Sequence, residues 1–314
     1  MTRVTAEDAL PLPALSTMWA MQPRFQHDLH AFLERAAELG YGGVEINHSM
    51  DAQMAGAILA SGVLPVTSVH APAPLERHAT AGWNRELNLA STDETERALA
   101  VQYTTRTIDL AAEAGARFVV VHLGGIAARI LPGERRLREL WPRRDLAREE
   151  WDARLDEAVR ERAGLIEPYL GPARRSFDEL VEYAGPRGVA IGLECRLHYH
   201  EIPSPTEVAE LIAPYPASVA GYWHDVGHAE VQHRLGLVDR SAWFDLLGER
   251  LLGTHLHDVR GLVDHRAPGA GDVDYAWLAA RVAPSAARTL EIDQHEPDES
   301  VARALDVLRG ANLL

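Results

Sequence analysis

Histidines and acidic residues recur at the ends of short apolar runs in this 314-residue chain. The run that begins at Leu251 and Leu252 leads into His255, His257 and Asp258, and the loop beyond it carries Asp264, His265, Gly269 and Gly271. Other apolar runs end in or carry Glu45, His70, His122, Glu194, Asp225 (with His228 three residues on) and Glu291. Singly, each has an ordinary explanation: a histidine hydrogen-bonded near the surface, or an acid capping a helix. Together they describe a different chemistry. Glu194, Asp225 and Glu291 brought to one place would repel, and one would have to take up a proton. A divalent cation removes that conflict, with His255 as a neutral nitrogen ligand. Three oxygens and one nitrogen suit Mn²⁺, Mg²⁺, Co²⁺ or Zn²⁺ alike.

Something must bring those run ends together. Val-, Ile- and Leu-rich runs alternate with longer segments of helical period, the pattern of a parallel sheet with crossover helices. Strands are expected at residues 15–19, 43–46, 66–70, 118–122, 190–194, 219–225, 251–257 and 289–292. Helices are expected at 28–39, 51–60, 93–114, 176–183, 205–212, 229–235, 275–282 and 300–308. Eight alternations fit one (β/α)₈ TIM barrel spanning 1–314, and barrel side chains at the carboxyl ends of strands converge on one mouth. The surplus length falls after strands 3 and 4, as insertions. Segment 127–169 mixes arginines with acids and is too long for a simple connection, so it reads as a helical insertion, a lid or an oligomer contact. A doubly wound nucleotide-binding sheet is disfavoured because no G-x-G-x-x-G follows an early strand, so no nucleotide cofactor is expected.

Composition narrows the partners. A net charge of −15 and a pI near 5.4 argue against a nucleic-acid partner, which calls for clustered Lys and Arg. The one cysteine, Cys195, excludes an internal disulfide and fits a reducing compartment. The opening MTRVTAEDALPLP lacks a basic-then-apolar signal, and no apolar run approaches 18 residues, so a cytoplasmic protein with no membrane partner is expected. Trp19, Trp83 and Trp223 could present a ring face to a ligand or pack in the core, core being the commoner use. His198 and His200 flank Tyr199 with no assigned role.

The segments SVHAP (68–72), VVVHLGG (119–125), IGLECR (191–196), HDVGHAE (224–230), HLHDVRG (255–261), DHRAPGAGDVD (264–274) and TLEI (289–292) stand in a telling order. As an ordered set they resemble the sugar phosphate isomerase/epimerase group, xylose isomerase-like barrels that also include endonuclease IV. The resemblance implies a metal held by Glu194, Asp225, His255 and Glu291. It also implies an enzyme, an isomerase or epimerase of a sugar or polyol-like α-hydroxy carbonyl, working through an enediolate. Glu194 and Glu291 would be the paired acid/base, with His228, His257, Arg260 and His265 as substrate contacts. Two alternatives accompany it: a keto-polyol dehydratase, and an endonuclease IV-like zinc phosphodiesterase on abasic DNA. For the nuclease, His70, His122 and Glu194 would hold a second metal, while His228 and His265 would need an Asp where Val263 stands, with Asp264 one residue out of step.

Overall fold

Eight strands form where the sequence offers short, fully buried apolar runs. In the computed structural model, which describes residues 12–143 and 147–314, they are β1 (Ala14–Ser16), β2 (Gly43–Ile46), β3 (Val66–His70), β4 (Phe118–Val121), β5 (Ala190–Glu194), β6 (Ala220–Asp225), β7 (Leu251–Leu256) and β8 (Ala287–Leu290). Each pairs in parallel with its neighbours in sequence, and β1 closes on β8 through Ala14 and Thr289. The expected single (β/α)₈ barrel is the observed architecture. The first eleven residues, most of the stretch read for a signal, lie outside the described residues. Among the described residues no helix is long and apolar enough to cross a membrane.

The crossover helices are α1 (Leu29–Leu39), α2 (Ala52–Ser61), α3 (Glu94–Ala114), α4 (Pro132–Leu140), α5 (Arg148–Leu165), α6 (Glu167–Ala184), α7 (Pro205–Ile212), α8 (Val226–Leu235), α9 (Arg240–Leu247), α10 (Tyr275–Ala279) and α11 (Asp298–Gly310). Their ends follow capping chemistry. The Asp28 carboxylate accepts from Ala31 N at the start of α1, and Gly40, at φ +99°, stops it in the left-handed conformation. Asp225 caps α8 by accepting from His228 N, so this helix starts three residues before the expected 229. Helix α9 had no counterpart in the sequence reading. The eighth strand sits two residues earlier than expected because buried Arg288 belongs to it, its guanidinium donating to Leu313 O and Pro284 O.

Long connections follow β3 and β4. After β3 comes a small hairpin (Arg77–His78 with Gly82–Trp83), and after β4 come α4 and α5. The segment 127–169 is therefore two helices plus the start of α6, and residues 144–146 lie outside the described residues. Helix α4 is fastened to the β5–α7 connection. Buried Glu134 accepts from Tyr199 N at 2.8 Å, from Arg138 Nε at 2.8 Å and meets His198 Nδ1 at 3.0 Å. On α5, Arg162 forks onto Glu207 with two bonds of 2.9 Å.

Inside the barrel every second residue points inward. Trp223 fills the middle, against Phe118 and beneath His255, whose ring centroid is 5.4 Å away. It fits because β5 and β7 carry glycine beside it. A Cβ on Gly253 would come within 2.3 Å of the Trp223 ring, and one on Gly192 within 3.0 Å. Trp223 and Trp19 are thus core, and Trp83 is exposed on the small hairpin.

Gly253→Ala is expected to cost about 1–3 kcal/mol through overpacking, read as a lower urea midpoint with an unchanged slope. Gly56→Ala on α2, where a Cβ meets nothing within 4 Å, is the control and should not lower stability. An unshifted midpoint for Gly253→Ala would show that Trp223 does not need the space.

Candidate metal centre

The inward alternation carries one polar residue from each of seven strand ends to the mouth. Glu194 ends β5, Asp225 ends β6, His255 lies in β7, and Glu291 follows β8 by one residue. One ligand atom from each of these four lies within 4.8 Å of all the others. His255 Nδ1 is the hub: Glu194 Oε1 is at 2.6 Å, Glu291 Oε2 at 3.1 Å and Asp225 Oδ2 at 3.7 Å. All four side chains are buried, none more than 3% exposed.

Surrounding groups orient the four. His255 Nε2 donates to Glu45, with both carboxylate oxygens at 3.1 Å, and Ser68 Oγ donates to Glu45 Oε2 at 2.7 Å. Asn47 Nδ2 donates to Glu291 Oε1 at 3.1 Å. His257 Nε2 donates to both oxygens of Asp225 at 2.9 and 3.0 Å, while its Nδ1 accepts from His265 N at 2.8 Å. A Cβ on Gly227 would strike the His257 ring at 2.1 Å, so helix α8 approaches this histidine closely because glycine stands there.

Two more clusters flank the four. His70, His122 and Glu194 form one; His70 Nδ1 donates to Ala71 O, which leaves Nε2 facing Glu194 Oε2 at 3.5 Å. His228, Asp264 and His265 form the other, with Asp264 Oδ2 3.3 Å from His265 Nδ1 and 3.8 Å from His228 Nε2. That oxygen is buried and has no hydrogen-bond partner.

Charge decides how these groups coexist. Burial opposes ionisation of Glu194, yet His122 and His255 hold its carboxyl well below the usual range. Glu291 goes the same way, drawn down against burial by His255 and His265. Burial also opposes a charge on His255, but Glu291, Glu45 and Glu194 hold its imidazolium well above the usual range. Burial and Arg196 push His122 down to about 3. Without a metal, a proton on His255 stands where positive charge is needed. The donor set therefore fits a divalent cation: three carboxylate oxygens and one imidazole nitrogen, each held by a further hydrogen bond or salt bridge.

The structure corrects three expectations. His257, expected to touch substrate, is buried with both ring nitrogens occupied, so it positions Asp225 instead. Arg260, also expected there, is on the exposed side of a hairpin (Asp258–Arg260 with Val263–Arg266) and does not line the cavity described below. Asp264, thought out of step, does reach its cluster, in a hairpin whose His265 has a left-handed φ of +53°. His228 and His265 do sit at the mouth, His265 Nε2 lying 3.6 Å from Glu291 Oε2. Asp258 proves structural, accepting from Val259 N, Gly269 N and Val273 N.

Sequence reading gave no role to three participants, Glu45, His48 and Arg196. Glu45 and His48 were seen only as residues at the end of the second strand. His48 packs edge-on to His70 at 5.0 Å and near His122 at 6.1 Å. Arg196 Nη1 donates to Glu194 Oε2 at 3.0 Å, and its Nε and Nη2 reach Glu201 Oε1. The signal for Glu45 was available in its place on the same inward alternation. Beside His48, His122 and Arg196 a cavity of about 680 Å³ opens toward the connections after β3, β4 and β5.

A closed parallel barrel with a carboxylate–imidazole centre at the strands' carboxyl ends belongs to the class that places its working groups at that mouth. The family model described as a xylose isomerase-like TIM barrel matches residues 33–311, and the chain belongs to that family. An uncharacterised protein, y4fM, of Sinorhizobium fredii is 26% identical over 243 residues, covering 74% of this chain and 67% of the relative. A solved D-tagatose 3-epimerase-like protein is 18% identical with a TM-score of 0.65, covering 96% of this chain and 97% of the other. An L-ribulose 3-epimerase structure is 15% identical with a TM-score of 0.64, covering 97% and 95%. At those identities the structural likeness establishes the fold.

Metal uptake is expected to release a proton from His255, because its pKa is raised in the metal-free chain. Below that pKa affinity should fall about tenfold per pH unit for one displaced proton. Calorimetric titration with Mn²⁺ or Zn²⁺ in buffers of different ionisation enthalpy counts the protons, and a buffer-independent heat would contradict this. Glu45→Gln should weaken binding about 10- to 100-fold in competition with a chromophoric chelator, with the circular dichroism spectrum retained.

Proposed function

We propose that the protein is a divalent-metal-dependent isomerase or epimerase acting on a sugar or polyol-like α-hydroxy carbonyl. The observation that carries this reading is that Glu194 and Glu291 converge from β5 and β8 on His255 at 2.6 and 3.1 Å, both buried and both held in the ionised form. Glu194, Asp225, His255 and Glu291 would hold Mn²⁺, Zn²⁺, Co²⁺ or Mg²⁺. When bound, the ion would supply positive charge beside two neighbouring substrate oxygens and acidify the C–H between them.

The chain's own residues do the rest. One glutamate takes the α proton, and the C–H electron pair passes into the substrate as an enediolate. Only a carboxylic acid can reprotonate the enediolate. For isomerisation the glutamate that took the proton returns it to the adjacent carbon. For epimerisation the opposite glutamate must first take a proton from solvent water, and it then delivers that proton to the other face. Glu45 and Asn47 hold His255 and Glu291 in register. In this reading His228 and His265, which lie beside Asp264 and Glu291 though outside the lining of the cavity, would bond substrate hydroxyls. The same acid/base pair could expel a β-hydroxyl as water, the dehydratase form of the reading. Its epimerase-named structural neighbours support a small-molecule sugar as the substrate.

A specific observation favours a second reading. The His70–His122–Glu194 and His228–Asp264–His265 clusters and the central four are three of five overlapping donor groups among the described residues. Such a set suits a zinc phosphodiesterase on abasic DNA, and the mismatch at Val263 no longer argues against it. The net charge of −15 still does.

Protein loaded with Mn²⁺ and incubated in D₂O with a panel of ketoses and keto-inositols separates the readings. Deuterium at the α carbon without loss of water supports the isomerase, and loss of water supports the dehydratase. Glu194→Gln and Glu291→Gln should each lower exchange at least about a hundredfold without unfolding the barrel. EDTA should abolish it. Absence of exchange with every sugar, combined with EDTA-sensitive nicking of abasic DNA, would establish the nuclease instead.

A further inference from the structure

The cavity at the mouth is larger than a monosaccharide needs and is displaced to one side of the centre. Its volume of about 680 Å³ equals roughly twenty water molecules at about 30 Å³ each. Pockets for small ligands run from about 300 to 1,000 Å³, and a hexose, with about a dozen non-hydrogen atoms, belongs at the small end. Glu194, Asp225, His255 and Glu291 do not line this space; His122, His48 and Arg196 are the groups of the centre that do. Much of the cavity therefore lies beyond the reacting carbons, between the 84–92 and 124–128 segments and the start of the β5–α7 connection.

Its walls are built rather than left open. Asn88 bridges two of them, donating to Gly125 O at 2.7 Å and accepting from Gly125 N at 3.2 Å and Ala90 N at 3.0 Å. Gly124, at φ +107°, is required there, since a Cβ would come within 2.0 Å of Asn88 Oδ1. Ser176 Oγ holds Leu89 O at 2.7 Å from behind. The third wall is tied to the second by Ile126 N donating to His200 O at 3.1 Å and Ile202 N donating to Gly124 O at 2.9 Å. Preformed walls of this kind spare a ligand the cost of ordering them.

Among the described lining residues, His48 and His122, beside the centre, and His200, away from it, each have a ring nitrogen without a hydrogen bond, and only His200 belongs to the outer part of the space. His200 lines the cavity, is 7% exposed, and its buried Nδ1 makes no hydrogen bond. Its neighbour His198 differs, being engaged by Glu134. Burial lowers the His200 pKa, which keeps the ring neutral, with one donor and one acceptor nitrogen as a hydroxyl requires. The charges of the lining, Glu86, Glu96 and Glu201 against Arg85 and Arg196, do not favour an anion.

We propose that this outer cavity is a subsite for a second, neutral sugar ring, so that the preferred substrate is a glycosylated keto sugar, with His200 a specificity-determining residue that bonds a hydroxyl of the outer ring. The proposal rests on the sugar reading above and fixes its substrate class.

The test compares deuterium exchange by the Mn²⁺-loaded protein on D-fructose with exchange on turanose, maltulose and isomaltulose, which carry a glucosyl unit on O3, O4 and O6. At least one glucosylated ketose should exceed D-fructose at least tenfold in kcat/KM. His200→Ala should cut that ratio at least fivefold, chiefly through KM, and His200→Gln, which keeps a side-chain donor, should restore part of it. The proposal is overturned if D-fructose matches every glucosylated ketose, if fructose 6-phosphate surpasses them all, or if both His200 variants leave the ratio unchanged. If no ketose exchanges at all, the sugar-isomerase reading falls on its own, and binding judges the subsite separately. Saturation transfer from the metal-loaded protein to both rings of maltose, lost in His200→Ala, would uphold it, and no transfer to maltose would end it.

Discussion

Three carboxylates closing on one imidazole, with a fourth behind it, set the terms for the rest of this molecule. Two like charges about 4 Å apart repel by roughly 4 kcal/mol at an effective dielectric near 20. Three such pairs approach the whole stability of an ordinary domain, about 5–15 kcal/mol. Glu194, Asp225 and Glu291 can share the mouth only with positive charge between them, and His255 Nδ1 is the atom that touches all three. The placement of Glu45 follows. By accepting from Nε2 it holds the ring so that Nδ1 stays aimed at the three acids.

The barrel supplies the rigidity this demands. Seven strands each deliver one inward side chain, and the floor beneath them is Trp223, seated over Gly192 and Gly253. An indole under an imidazole excludes water from below and keeps the local dielectric low, which strengthens every interaction among the ligands. Helix α8 serves the same end. Its capping residue, Asp225, is also one of the four, so the carboxylate is fixed from the helix through His228 N and from β7 through His257. The helix cap uses Oδ1 of this aspartate and leaves Oδ2 facing His255, so capping the helix does not take it out of the donor set.

How much of this was legible in the sequence depended on the range of the interaction. Strand order, the barrel and the four central residues follow from alternation and charge, which act along the chain or at every strand end alike. Glu45 was visible as a strand-end acid, but its partner is 210 residues away, and nothing local distinguishes a lone acid from the support of a distant histidine. Arg288 concealed the true start of β8 because a buried arginine capping carbonyls looks like the end of a strand. Asp264 was misjudged by counting residues. Asp264 stands in a hairpin with a left-handed residue at His265, where the regular alternation assumed in counting does not hold.

The same geometry explains why the fold can host more than one chemistry. The three donor clusters share residues: Glu194 faces both the His70–His122 pair and the central hub, and His265 faces both Asp264 and Glu291. How many cations such a mouth could hold would depend on the protons and positive side chains already present. Arg196 sits on Glu194 Oε2, the oxygen nearest His70 and His122. A guanidinium at that point neutralises part of the charge a second cation would need, and with burial it holds His122 neutral near pH 7. Arg196 also lines the larger cavity, so a substrate bound there meets a fixed cation on the side of the centre where a second metal would otherwise be called for. The guanidinium thus already supplies positive charge on the side of Glu194 that faces His70 and His122.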